Sequence, residues 1–99
     1  MALQLSFYSP NYGITFPTAY LRISGLNLYR VEDNTPKFYV SIQFDIYAQE
    51  PESSLVQPIE HRSLAVSVDD LNKFDGSDFL IKSYKYLMSI PEYSIGLII

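Results

Sequence analysis

The stretch Phe38-Tyr39-Val40-Ser41-Ile42-Gln43-Phe44-Asp45-Ile46-Tyr47-Ala48 alternates apolar and polar residues without a break. Phe38, Val40, Ile42, Phe44, Ile46 and Ala48 share one face, and Tyr39, Ser41, Gln43, Asp45 and Tyr47 share the other. Only a strand places successive side chains on opposite faces. The spacing therefore predicts a long antiparallel strand over 38–48, with one face in a core and one in water.

Upstream lies a polar turn, Val31-Glu32-Asp33-Asn34-Thr35-Pro36-Lys37, and before it a second strand-like segment over about 18–30. A turn this short between two strands predicts a hairpin. In the earlier segment Ala19, Leu21 and Ile23 share a face, and the apolar phase then jumps to Leu26 and Leu28. A one-residue jump at Ser24-Gly25 fits a β-bulge or a sharp bend, or else two short strands broken at Gly25. At the N-terminus Leu3-Gln4-Leu5-Ser6-Phe7 alternates too, which predicts a strand over about 3–8. It stops at the turn-rich Ser9-Pro10-Asn11-Tyr12-Gly13. Ile14 to Pro17 reads as a connection, or a short edge strand limited by Pro17.

Downstream, Gln49 to Pro58 is a loop, and Leu64, Val66 and Val68 mark a further strand over about 59–68. Asp69 to Ser77 is a turn region. Leu80, Ile81, Tyr84, Leu87 and Met88 then form an apolar stripe at helical spacing, which predicts a helix over about 78–89. Asp75 or Ser77 can serve as its N-cap, and Pro91 ends it. The segment 93–99 is apolar, with Ile95, Leu97 and Ile99 alternating, and forms a last strand or docks on a partner. The fold expected is mainly β with an α+β element: one domain over 1–99, a small antiparallel β-sandwich or curled sheet with one C-terminal helix covering an opening.

Composition removes most chemistries. The 99 residues include no Cys, no Trp and one His, with a net charge of −4. No disulfide or thiolate metal site is possible, and the acidic balance argues against a nucleic-acid partner. With 47% hydrophobic and 18% charged residues the chain can fold, while no apolar run reaches the length of a membrane span. Met1 to Leu5 lacks the basic and apolar regions of a signal peptide.

Candidate sites are correspondingly few. His61 lies two residues before Ser63, on the same strand face, which makes no triad geometry and reads as a surface histidine. Asp69, Asp70, Asp75 and Asp78 are hard oxygen donors, but their spacing is not that of an EF-hand loop and Lys73 sits among them. Turn formation and an acidic first helical turn explain them as well. Glu50, Glu52 and Glu60 read as loop solubility, and four scattered glycines make no phosphate loop. No catalytic, cofactor-binding or metal residue is assigned.

Aromatics are the stronger lead, with nine tyrosines and six phenylalanines. Tyr39 and Tyr47 lie on the wet face of the long strand. Tyr20 and Arg22 lie opposite the apolar residues of their own segment. Phe79 and Tyr86, seven residues apart, point the same way, nearly opposite the core stripe of the helix. Tyrosine-rich surfaces suit partner contacts, whereas a planar sugar platform favours Trp. The expected interface comprises Tyr39, Tyr47, Phe79, Tyr86, Leu97, Ile98 and Ile99.

Two regions carry a resemblance. Met1-Ala2-Leu3-Gln4-Leu5-Ser6-Phe7 with Gly13, Pro17 and Thr18-Ala19-Tyr20-Leu21-Arg22-Ile23, and Ser83-Tyr84-Lys85-Tyr86-Leu87 with Ile90-Pro91-Glu92-Tyr93, together resemble a family of small virion proteins of tailed bacteriophages and prophages. Val31 to Asp78 matches nothing in that pattern, and no site residue carries over. The resemblance implies an accessory protein of the tail, collar or baseplate, or a capsid decoration, made in the host cytoplasm. Such a chain would be a non-enzymatic subunit docking through sheet and helix faces onto copies of itself, as an oligomer or ring, or onto larger virion proteins, with no cofactor, nucleic acid or membrane. The alternatives are a β-sandwich module for a glycan or host-surface component, and a phage-encoded protein inhibitor.

Overall fold

The computed structural model describes residues 2–31, 37–94 and 96–99. Five strands are present: β1 (Leu3–Ser9), β2 (Ile14–Val31), β3 (Lys37–Tyr47), β4 (Glu60–Ser67) and β5 (Leu97–Ile98). Between β4 and β5 lie helices α1 (Val68–Leu71) and α2 (Phe79–Met88) and a 3-10 turn at Pro91–Tyr93. The strands form one antiparallel sheet in the order β4-β3-β2-β1-β5. The architecture is therefore mainly β with a C-terminal helix, and of the two sheet arrangements expected it is a single sheet rather than a sandwich.

The predicted hairpin is the centre of that sheet. β2 and β3 pair from Tyr20↔Tyr47 to Val31↔Lys37. The Glu32–Pro36 part of the predicted turn lies outside the described residues, as do Met1 and Ile95. The phase jump at Ser24-Gly25 is a bulge: from Ile23↔Phe44 to Gly25↔Gln43, β2 advances two residues while β3 advances one. The extra residue lets Leu26 and Leu28 rejoin the face begun by Ala19, Leu21 and Ile23.

A second bulge carries β2 back to Ile14, so the segment 14–17 is strand rather than connection. From Leu5↔Ala19 to Phe7↔Phe16, β1 advances two residues and β2 three. Pro17 sits in that irregularity, where a residue without an N–H is tolerated. Gly13 makes the preceding turn at φ 69°, in the left-handed region glycine occupies freely, and its N–H donates to Ser9 O at 2.8 Å.

The inner face of the sheet holds the core. Leu3, Leu5 and Phe7 from β1, Ala19 and Leu21 from β2, Val40, Ile42, Phe44 and Ile46 from β3 and Val66 from β4 are all buried. α2 closes this layer with Ser83, Tyr84 and Leu87, assisted by Leu71 of α1 and Tyr93 of the 3-10 turn. Leu80, expected in the helix stripe, is instead exposed, because the buried face is centred on Tyr84 and Leu87. Asp78, and neither Asp75 nor Ser77, caps α2: its Oδ1 accepts from Ile81 N at 2.9 Å. α1 was not foreseen. Its one turn begins where β4 ends, with the Ser67 hydroxyl accepting from Asp70 N at 3.1 Å. The apolar C-terminus does pair as a last strand, Leu3↔Ile98 and Gln4↔Leu97, extended by two backbone bonds between Ala2 and Ile99. Among the described residues no helix is long and apolar enough to cross a membrane.

Tyr84 joins the two layers. Its ring is buried, and its hydroxyl accepts from Ile23 N at 2.9 Å. That N–H sits on the edge of β2 just beyond Leu21, the residue that pairs with the first residue of β1. A strand N–H without a neighbour needs an acceptor, and the helix supplies it. Tyr84→Phe keeps the ring and removes the acceptor. It should lower unfolding stability by about 1 kcal/mol, read as a lower urea midpoint at unchanged m-value.

Candidate interaction surface

Besides Ser83 of α2, the described residues of the inner face include a polar cluster. Arg62 of β4 points inward, with its Nε 2.8 Å and its Nη2 2.7 Å from Glu60 Oε2. Its Nη1 donates to Glu92 Oε2 and to Tyr93 Oη, each at 2.7 Å. The guanidinium also lies 5.1 Å from the centre of the Phe7 ring, a cation–π distance. Glu60 Oε1 accepts from Ser9 Oγ at 3.0 Å and from Asn11 Nδ2 at 3.4 Å. Glu60 and Arg62 belong to one edge strand, Phe7 and Ser9 to a strand three places away. The cluster therefore ties the two sides of a curled sheet together across the core.

Electrostatics match that structural role. Burial works against the Arg62 charge, but the hydrogen bonds it donates to Glu92 and Tyr93 outweigh that and hold the guanidinium above its ordinary range. Burial pushes the Tyr93 phenol up, against the opposing pull of Arg62, and burial also raises Tyr84. These donors and acceptors bond mainly to one another, so the cluster acts as a clasp across the core.

The outer face carries the wet residues of the central strands. Tyr20 and Tyr47 meet edge to face at 6.3 Å, and Arg22 lies over the Tyr47 ring at 5.6 Å with its Nη2 3.3 Å from Tyr47 Oη. One register step on, Asp45 Oδ1 is 2.6 Å from His61 Nδ1. Further along, Tyr29 and Tyr39 stack at 6.0 Å. Between the two tyrosine pairs the face is built from Gly25, Asn27, Ser41, Gln43, Ser63 and Ala65.

The expected interface residues separate into three groups. Tyr47 is only 6% exposed, because Tyr20 and Arg22 cover it, so it is not a free contact residue. Tyr86 does not share an outer helix face with Phe79. It packs against the core and meets Phe74 edge to face at 6.0 Å, while Phe79 is exposed beside Lys82. Tyr86 instead converges with Tyr39 on a half-open cavity of about 380 Å³, lined also by Val66, Ser67, Asp69 and Asp70. Leu97, Ile98 and Ile99 are exposed at the β5 edge. Of the aspartates considered as metal ligands, Asp78 caps α2 and Asp70 pairs with Lys73 at 3.0 Å. Glu60, read as loop solubility, is the buried centre of the clasp.

The core face is most exposed at the far end of the hairpin, where the alternation alone predicts core. β1 pairs with β2 no further than Leu21, whereas β2 runs on to Val31. The hairpin continues past β1 as an arm, and the molecule is accordingly elongated at 44 × 25 × 24 Å. On this arm Leu28 is 56% and Phe38 52% exposed, although both fall on the face that is buried elsewhere. Periodicity reports which face a side chain takes and is blind to where the covering layer stops.

Comparison with known proteins returns no match to a family model, a curated protein or a solved structure.

Two outcomes follow from the clasp. Arg62→Ala should destabilise the fold by roughly 2–4 kcal/mol, somewhat less than a fully buried pair because Arg62 keeps partial exposure, as it strands Glu60 in the core; chemical denaturation reads it. The raised phenols predict alkaline sensitivity. A tyrosine held above the ordinary 10.0 favours folding fully below that pH, and the advantage is lost as pH rises through the higher folded value. Stability should fall from about pH 10 upward, and Tyr93→Phe should flatten the fall.

Proposed function

We propose that this chain is a non-enzymatic assembly subunit that docks onto protein surfaces through the β2–β3 arm and the adjoining outer face of the sheet. One observation carries the reading: the arm projects beyond the covering layer and leaves Leu28 and Phe38 in water on a paired hairpin. Contiguous apolar exposure on an ordered element is a contact surface. The Arg62–Glu60 cluster is compatible with the same reading, because its groups bond to one another across the core. The resemblance of residues 1–23 and 83–93 to small virion proteins supports reading this subunit as part of a tailed-phage particle, in the tail, collar or baseplate.

A second reading, a glycan-binding module, is favoured by the Tyr39–Tyr86 cavity, where aromatic rings and carboxylates meet at the surface. A glycan array separates the two: specific hits abolished by Tyr39→Ala select the module.

The assembly reading is tested on particles purified from the cell that encodes the chain. Mass spectrometry should find the chain at a constant ratio to a major particle protein. Phe38→Lys should reduce its incorporation about tenfold without unfolding it, since a half-exposed side chain contributes little to the monomer core. Chain present in the cell but absent from the particles would overturn the reading.

A further inference from the structure

The arm has a bare edge as well as bare side chains. β2 has a neighbour on the β1 side only as far as Leu21, and its other side is paired with β3 to the end. The register fixes which backbone groups face outward. Ile59 N donates to Ile46 O at 2.8 Å, so Ile46 directs its backbone groups away from β2, toward β4. No register shift interrupts β3 between Ile46 and Phe38, so Phe44, Ile42, Val40 and Phe38 are directed the same way. Their β2 partners Leu26, Leu28 and Arg30 therefore occupy non-hydrogen-bonded positions and point their N–H and C=O groups out of the sheet. Ile23, which precedes the bulge in the same set, shows the direction: its N–H leaves on that side and is met by Tyr84. Beyond it, no hydrogen bond to these outward groups is found among the described residues.

The devices that protect such an edge are scarce. Gly25 to Val31 contains no proline, no carboxylate and one charge, Arg30. Seven residues span about 23 Å of strand, long enough to template another strand.

We propose that this edge pairs antiparallel with the same edge of a second copy, about a two-fold axis at Leu28. The segment is self-complementary in that register. Leu28 faces Leu28 of the second copy, and Leu26 and Arg30 face one another twice. All three outward residues then find hydrogen-bonded positions, and no two arginines are opposed. Leu28 loses its exposure against an identical leucine, and the Arg30 stem lies along Leu26. The inner face becomes continuous from Val40 through both Leu28 residues to the second Val40. A register centred on Asn27 pairs only Leu26 with Leu28 and leaves the Arg30 groups opposite the bulge at Ser24. Two-fold pairing of one patch with itself is the commonest closed assembly, and it joins two three-stranded halves into a six-stranded sheet.

The pairing deepens the assembly reading by naming the arm's occupant, and its test is independent of any particle. Light scattering after size exclusion, over a wide concentration range, should show a mass rising from 11.4 kDa to about twice that value. Leu28→Lys sets two like charges opposite one another and should weaken the dimer at least tenfold, with circular dichroism unchanged. The chain has no cysteine, so Leu28→Cys introduces a single thiol. Hydrogen-bonded antiparallel partners stand about 5.5 Å apart at Cα, within disulfide range. Under mild oxidation Leu28→Cys should cross-link much faster than Tyr8→Cys, an equally exposed site on β1. A mass fixed at that of the monomer, or a dimer in which Leu28→Cys cross-links no faster than Tyr8→Cys, would overturn the pairing. The particle experiment would then still decide the assembly reading by itself.

Discussion

Arg62 holds two sides of the sheet together. An antiparallel sheet twists and coils, but its curvature must be held if one helix is to cover the inner face. Here the first two inward positions of β4 are Glu60 and Arg62, not apolar residues, and they reach Ser9, Asn11 and Phe7 across the core. The 3-10 turn adds Glu92 and Tyr93 to the same guanidinium. A planar group with five donors can serve partners from three directions in a way a lysine cannot. The cost of burying the charge is offset because each carboxylate is both paired and hydrogen-bonded.

That clasp sits at one end of the molecule, and its location explains the other end. α2 and the C-terminal segment pack where β1, β2 and β3 lie side by side. Farther along, only β2, β3 and β4 continue; Leu71 of α1 and Tyr86 still pack there with Leu26, Val40 and Val66, and the cover is gone at Leu28 and Phe38. The arm beyond remains a well-paired hairpin with one bare edge and apolar residues in water. The buried polar network lies at the clasped end, and the exposed apolar residues Leu28 and Phe38 lie on the arm.

Much of the fold is legible in the alternation of residues. Phe38 to Ala48 could only be a half-buried strand, and the phase jump at Ser24-Gly25 marked the bulge that keeps Leu26 and Leu28 on the inner face. The helix was legible from spacing, though its cap fell one residue beyond Ser77. α1 was not legible, because four residues cannot display a helical period. Tyr47 and Tyr86 show the limit for the candidate surface. The outer face of Tyr47 was readable from spacing, but its cover, Tyr20 with Arg22, comes from elsewhere in the chain, and helical spacing put Tyr86 on an outer face although it packs against the core and Phe74.

By itself, then, the sequence determined the main strands, the hairpin, the late helix and the face each strand residue takes, because these follow from backbone periods of two and 3.6 residues. Tertiary structure alone decided that Glu60 and Arg62 form the clasp, that Tyr39 and Tyr86 share a cavity, and that Leu28 and Phe38 lie in water. Each of these depends on how far β1 runs beside β2 and on where the curl brings β4. Those lengths and contacts arise between residues far apart in the chain, and no local pattern records them.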